Sequence, residues 1–336
     1  MATKVIRGID KIITSSGTEV DLDNIQASFN ADYLLAAGGG AGGAAAGAGS
    51  GGGAGGLIIS NMDIVIGADQ YVEIGNGGTG IANTGNYSTQ IYPGGNSTFG
   101  SLIAFGGGGG TYGMRVSMAL DSAFNKGGSG GGGEGGYNDY GGYGYNTTNA
   151  AVWGNPSSMI NQGNDGAAGS FISSFTYAGG GGGGAGSAGG DGSSTVRTNQ
   201  SAGAVGRDGG AGLSSDITGT TAWYAGGGAG GDHQNGSGSG GSGVGGSAWQ
   251  SGVANTGSGG GGSSGSTANT PAAGNGGSGV LILLVPTTIE LDTVDASFTI
   301  NGSGGSTTPP SPQTGRDGKN LYIITAGSGN ISFKSV

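Results

Sequence analysis

Few side chains in this sequence could do chemistry. His233 is the single histidine and cysteine is absent, which removes histidine-based metal clusters, histidine proton relays, disulfides and thiolate metal sites. The closest carboxylate pairs, Asp21 with Asp23 and Asp292 with Asp295, fit solvated strand faces. A hydrolase needs an acid and a base converging in a pocket, and no such set is spelled out. The run from Gly227 to Asp232 imitates part of a calcium-binding glycine/aspartate repeat, but Gln234 stands where an apolar residue belongs and no tandem copy follows. Matches to the dinucleotide glycine motif abound without the strand–helix context that gives it meaning, and Gly318-Lys319-Asn320 lacks the spacing and hydroxyl of a phosphate loop. The expectation is a protein that is not an enzyme and needs neither metal nor cofactor.

What remains is surface recognition. Residues 134–153 carry Tyr137, Asn138, Tyr140, Tyr143, Tyr145 and Trp153 among glycine, asparagine and threonine. Tyrosine with small polar residues is the composition of binding loops: flat amphipathic rings give contact area at low entropic cost, and asparagine adapts its hydrogen bonds. Such rings also suit sugar faces. The alternative is that they lie on the scaffold and cover glycine backbone. A second segment, 232–249, offers His233, Gln234 and Trp249, and a third spans 83–92.

These segments interrupt glycine. Of 90 glycines, all but nine lie within residues 38–279. Glycine with serine and few bulky residues fits a disordered linker on composition alone. Two features favour order: only 9% of residues are charged, and apolar runs recur at the tract edges. Tyr33 to Ala37, Leu102 to Phe105, Tyr177-Ala178 and Trp223-Tyr224-Ala225 each lead into glycine. Glycine at this density costs a helix about 1 kcal/mol per position, so no α-helix is expected. A glycine run can instead adopt the extended polyglycine II helix, with three residues per turn and outward N–H and C=O groups. Those groups need partners, and tracts packed side by side supply them, provided that glycine occupies the inward positions.

The expected fold is therefore all-β with polyglycine II: packed glycine helices, short apolar strands, and β modules at both ends. The division reads as residues 1–31, an N-terminal attachment module; 32–286, the glycine-rich domain; and 287–336, a C-terminal β module. Strands are expected near 4–13, 19–22, 57–67, 70–75 and 280–285, where Pro286 stops the run. Further strands are expected over 291–300, 320–325 and 330–333, with a hairpin-type turn at Asp317-Gly318. Residues 20–29 and 289–298 repeat one another, with identities at Leu22/Leu291, Asp23/Asp292, Ala27/Ala296, Ser28/Ser297 and Phe29/Phe298.

A net charge of −10 with ten scattered basic residues argues against nucleic-acid binding. The first residues lack the apolar core of a signal peptide, and the run 280–286 is too short for a membrane span.

The order Ser97 to Gly106, Asn161 to Gly166, Tyr177 to Gly179, Gly209 to Gly219, then Gly276 to Ile282 resembles glycine-rich domains of bacteriophage virion proteins, over roughly residues 32–286. A looser likeness is to fibre-tip adhesins of T-even-like phages, in which stacked polyglycine II helices form a brick and loops between them touch the bacterium; this chain differs in its long β-like ends. The resemblance implies a structural or receptor-binding role on the virion, in a tail fibre or its adhesin. It implies as partners other virion proteins of the fibre, tail or capsid, a bacterial surface glycan or outer-membrane protein, and further copies of the chain, without nucleic acid or membrane insertion. Alternatives are a capsid or tail decoration protein with no receptor, and an extracellular ice-binding or silk-like protein, against which the irregular repeat spacing counts.

Overall fold

An apolar run of six residues with a glycine before it and a proline after it becomes the strand at the centre of the molecule. The computed structural model describes residues 11–13, 19–21, 27–44, 48–81, 92–111, 127–133, 162–173, 176–190, 207–232, 238–264 and 271–336. In chain order the strands are β1 (Lys11–Ile13), β2 (Glu19–Asp21), β3 (Ser28–Ala36), β4 (Leu57–Val65), β5 (Gln70–Glu73), β6 (Ser97–Phe99), β7 (Leu102–Ala104), β8 (Ser170–Ser173) and β9 (Thr176–Ala178). There follow β10 (Leu213–Ser215), β11 (Ala222–Tyr224), β12 (Val280–Val285), β13 (Ile289–Val294), β14 (Thr299–Ile300), β15 (Ser303–Gly304), β16 (Gln313–Thr314), β17 (Asn320–Ala326) and β18 (Ser328–Ser335). Helical structure among the described residues is confined to two single 3-10 turns, Gly241–Gly243 and Arg316–Gly318.

Two antiparallel sheets form a sandwich. The first has the order β15-β14-β17-β12-β3-β4, with β16 also on β17; the second has the order β13-β18-β5-β6-β7. All six side chains of β12 are buried, because both faces of this strand are covered. Leu281, Leu283 and Val285 join Tyr33 and Leu35 against Phe99, Leu291 and Phe333 of the second sheet. Val280, Ile282 and Leu284 face the other way, with Leu34, Ala36, Ile217 and Tyr224. Burying each such side chain contributes about 1.5–3 kcal/mol. Edge-to-face ring pairs cross between the sheets: Phe29 with Phe333 at 5.2 Å and Tyr33 with Phe99 at 5.8 Å.

The sheets do not respect the expected divisions. β3 runs through the boundary at 31/32, and β12 pairs with both β3 and β17. β18 pairs with β5, so the chain's last strand completes a sheet begun near residue 70. The strand expected over 291–300 is broken in two. Asp295 turns the chain by accepting from Asn330 N at 2.7 Å, and the chain passes from the second sheet (β13) to the first (β14). The two repeat copies diverge likewise, since Phe29 lies within β3 while Phe298 precedes β14, yet both rings enter one core. The Asp-Gly turn is present between β16 and β17, with φ of 59° at Asp317 and 71° at Gly318.

Beyond the strands, glycine tracts continue in the same direction. Residues 37–44 show how they pack. Ala37, Gly40 and Gly43 donate to Gly56, Gly53 and Ser50 at 2.8–3.0 Å; Gly38 and Ala41 donate to Gly95 and Tyr92; Gly39 and Gly42 donate to Gly277 and Gly274 at 2.9 Å. The partner thus changes with every residue and returns every third, the signature of a three-fold polyglycine II helix. The carbonyls repeat the pattern: Gly38 and Ala41 accept from Gly107 and Gly110, Gly40 and Gly43 accept from Gly260 and Ser263, and Gly39 accepts from Gly78. Six tracts therefore surround this one. Tract 48–56 is enclosed in the same way, donating to 105–108, 180–183 and 257–263 and accepting from 37–43, 129–132 and 228–231.

The tracts leave no space for side chains. A Cβ on Gly39 would fall onto Ser258 O, one on Gly52 onto Gly40 O, and one on Gly182 onto Gly52 O. Alanine is nevertheless admitted at particular places. Ala44 packs with Ala273 and Ile81 at a tract end, and Ala54 and Ala225 meet the apolar face of the first sheet. Ala41 and Ala229 are buried mid-tract, so the requirement for glycine is not absolute.

Gly52→Ala is expected to lose 1–3 kcal/mol or more, the range for overpacking, because the obstacle is backbone that cannot rotate away. Gly95→Ala, whose Cβ would have its nearest neighbour at 3.1 Å, should cost clearly less. Denaturant midpoints measure both. Amides of Gly107, Gly108, Gly110, Gly180, Gly182 and Gly183, all donors to other tracts, should exchange only on global opening. Exchange at free-peptide rates would refute the packing.

Candidate functional site

The tracts have two ends of different character. One abuts the sandwich, where Ala37, Gly56, Gly75, Asn96, Phe105, Ala225 and Gly279 adjoin strands. Polar side chains fasten this junction. Ser97 Oγ donates to Ala36 O and accepts from Gly75 N, both at 2.9 Å, and the Gln162 amide bridges Ile103 O and Phe105 N at 2.9 Å.

At the far end lie Gly43, Gly49, Thr111, Gly132, Gly179, Gly231 and Ser263, joined laterally by backbone hydrogen bonds or through neighbours at the same level. Seven steps of about 3.1 Å put Ala44 roughly 22 Å beyond Ala37 along such a helix. From this level the chain enters residues 45–47, 112–126, 134–161, 233–237 and 265–270. Tyr137, Asn138, Tyr140, Tyr143, Tyr145, Trp153, His233 and Gln234 lie in these segments, outside the described residues. Their stems are fixed: Gly133 N donates to Ala167 O at 2.8 Å, and Asp232 N donates to Ser264 Oγ at 3.0 Å.

Trp249 is the one sequence-predicted contact residue within the described part. It follows Ala248 in a turn closed by Gln250 N donating to Ser247 O at 2.8 Å, with φ of 61°. That left-handed conformation disfavours a side chain by roughly 1–2 kcal/mol. The ring is half-buried, and its Nε1 is enclosed without a hydrogen-bond partner. Trp249 therefore points much of its ring into the protein, not outward as a free platform.

A cavity that sequence reasoning missed lies on the other side of the molecule, between the first sheet and the β10–β11 hairpin. It is an open hollow of about 440 Å³, lined by Ile59, Ser214, Ser215, Asp216, Thr221 and Arg316. Ile217 anchors the hairpin turn by burial in the second core, and Gly219, with φ of 90°, closes it by donating to Asp216 O at 2.8 Å. Arg316 ties the turn to the sheet: Nη1 lies 2.7 Å from Asp216 Oδ1, and Nη2 lies 3.6 Å from Asp32 Oδ2. Lys319 Nζ is 2.9 Å from the same Asp32 oxygen. The hydrogen bond to Asp216, with the carboxylates around it, pushes the Arg316 guanidinium still further toward the charged form. Exposed pairs of this kind contribute only about 0–1 kcal/mol, so their role is orientation. Trp223 and Leu213 stand exposed on the same hairpin. The signal in the sequence was Trp223-Tyr224, read only as an apolar lead into glycine.

Among the described residues no group of three His, Cys, Asp or Glu side chains could hold a metal ion, and no helix is long and apolar enough to cross a membrane. Burial pushes the Asp165 carboxyl above its ordinary range, and its Oδ1 has no partner.

A family model described as "Glycine-rich domain" matches residues 15–286. The chain belongs to this glycine-rich domain family. The match spans β3 to β12 and every tract described above. No curated protein matches the chain.

Two stability measurements check this geometry. Because folding raises the Asp165 pKa, the folded protein holds that proton more tightly than the unfolded chain. The Asp165 contribution to stability is fully present below the ordinary carboxyl range and is lost as pH rises through it. Asp165→Asn should thus raise the melting temperature at neutral pH and flatten the decline between about pH 3 and 7. Replacing Trp249 by 3-benzothienylalanine, whose sulfur takes the place of the unpaired N–H while the bicyclic ring bulk is kept, should leave the melting temperature unchanged or higher. A drop of several degrees would mean that the indole N–H has a partner.

Proposed function

We propose that this protein is a non-enzymatic structural component of a bacteriophage virion, a tail fibre or fibre-tip adhesin that meets the host surface through segments between its glycine tracts. The observation that carries the reading is the placement of the stems. Segment 134–161, which holds the tyrosine cluster, leaves the remote tract end after Gly133 and rejoins the described chain at Gln162 beside the sandwich, whereas 233–237, which holds His233, leaves and returns at the remote end. That arrangement sets segments composed like binding loops outside a bonded, glycine-rich shaft. The sandwich, at the opposite end, is free to join other virion proteins. The shaft needs no cofactor: its rigidity comes from lateral backbone hydrogen bonds.

The test uses the full chain, labelled and incubated with a panel of bacterial strains, beside a variant in which Tyr137, Tyr140, Tyr143 and Tyr145 are all changed to Ser. The expected result is binding to some strains that falls at least tenfold in the variant, whose melting temperature stays that of the parent. Equal binding by both proteins, or no binding to any strain, removes the receptor role and leaves the decoration reading. Immunogold labelling of intact particles then locates the protein on tail or capsid.

A further inference from the structure

β4 is the last strand of the first sheet, nine residues long, with β3 on one side and, among the described residues, no strand on the other. Its register with β3 fixes which backbone groups point outward. Ile66 N donates to Ala27 O just past one end of the pairing, and Ala37 N donates to Gly56 O just past the other. Even-numbered residues of β4 therefore bond to β3, and odd-numbered ones face away. Leu57 N, an odd position, accordingly reaches outward to Gln162 O at 3.2 Å. Ile59, Asn61 and Asp63 come next, exposed, and their N–H and C=O groups have no backbone partner among the described residues.

An open, flat edge of this kind is what natural sheets ordinarily guard against. Here it carries an exposed isoleucine, 44% accessible, and beside that isoleucine opens the cavity lined by Ser214, Ser215, Asp216, Thr221 and Arg316. The charges nearby are unevenly matched. Asp32 and Asp216 are paired with Lys319 and Arg316, whereas Asp63 has only the Asn30 amide at 3.0 Å and no cation among the described residues.

We propose that β4 is a strand-addition site for an extended segment of a different protein chain, which pairs antiparallel with Ile59, Asn61 and Asp63. Main-chain hydrogen bonds along the edge supply affinity, and side chains at alternate positions supply specificity. The segment places a β-branched residue opposite Ile59, at the mouth of the cavity, and a lysine or arginine opposite Asp63, four residues before it. A second copy of this chain fits poorly. The antiparallel register engaging all three residues on both copies sets Ile59 against Asp63 twice, without a cation for either carboxylate. The proposal does not depend on the virion reading.

The probe is a blocked peptide, Thr-Lys-Thr-Thr-Thr-Val-Thr, added to the full chain. At saturation the amides of Ile59, Asn61 and Asp63 should exchange at least tenfold more slowly, while Ser60 and Met62, already bonded to β3, do not change. Asp63→Lys should weaken binding at least tenfold and favour a peptide with Glu in place of Lys. Asn61→Pro removes one outward donor at a position where an edge strand tolerates proline, and should abolish binding with the fold intact by circular dichroism. If that variant does not fold, the same peptide N-methylated at alternate residues on its bonding edge serves instead, and should not bind. Unchanged exchange at the three amides, or binding indifferent to Asp63→Lys, overturns the proposal. So does protection of those amides by self-association in the absence of peptide.

Discussion

A buried backbone amide must have a partner, and in this protein that requirement decides almost everything else. Glycine tracts bury their whole backbone, yet a polyglycine II helix makes no hydrogen bonds to itself. Every partner must come from a neighbour, and the neighbour must approach so closely that a Cβ would strike its carbonyl. Each tract is consequently unstable alone and rigid in company. The arrangement around residues 37–44, with six neighbours and a three-residue cycle of donors, is what this mutual pairing looks like.

Such packing has a weakness: shifting one tract by three residues would exchange one set of glycine partners for another of nearly the same kind. The sandwich removes that ambiguity. β3 and β4 pair with residue numbers summing to 93, as in Ala36 with Leu57, and the same sum holds in the tracts for Gly40 with Gly53 and Gly43 with Ser50. β3 and β12 pair Ala36 with Val280, and the same offset persists at Gly39 with Gly277 and Gly42 with Gly274. The pairs β5–β6 and β10–β11 likewise extend to Asn76 with Gly95 and Gly210 with Gly227. Apolar strands, whose side chains distinguish one register from the next, thus set the alignment of tracts that could not set their own.

This division of labour explains what could be read from the sequence. Strand type was legible in runs such as 280–285 and 320–325, and ordered glycine was legible from apolar residues at the tract edges. Sheet membership was not, because β3, β12 and β17 come together from three distant parts of the chain. For the same reason the ends looked like separate modules. The break at Asp295 was hidden, since Thr293 to Phe298 has no glycine or proline and the turn is held largely by the distant residues Asn330 and Ser328. The site was legible only in part. Tyrosine composition marked segment 134–153, and Trp249 was chosen for its ring, although its backbone turn directs that ring inward. The edge of β4 and the Arg316 cavity carry no local pattern, because they arise from where the sheet stops and which loop lies over it.

The pairing of Gly42 with Gly274 also has a consequence for how the molecule is made. The first tract leaves the ribosome more than two hundred residues ahead of a neighbour that it needs, an interval of roughly 12–47 s at ordinary rates of synthesis. For most of that time its partners at 48–56, 92–95 and 107–110 have been made but those at 260–263 and 274–277 have not. β17 and β18, translated after every tract, complete both sheets, so a chain terminated before them inherits the glycine without the order.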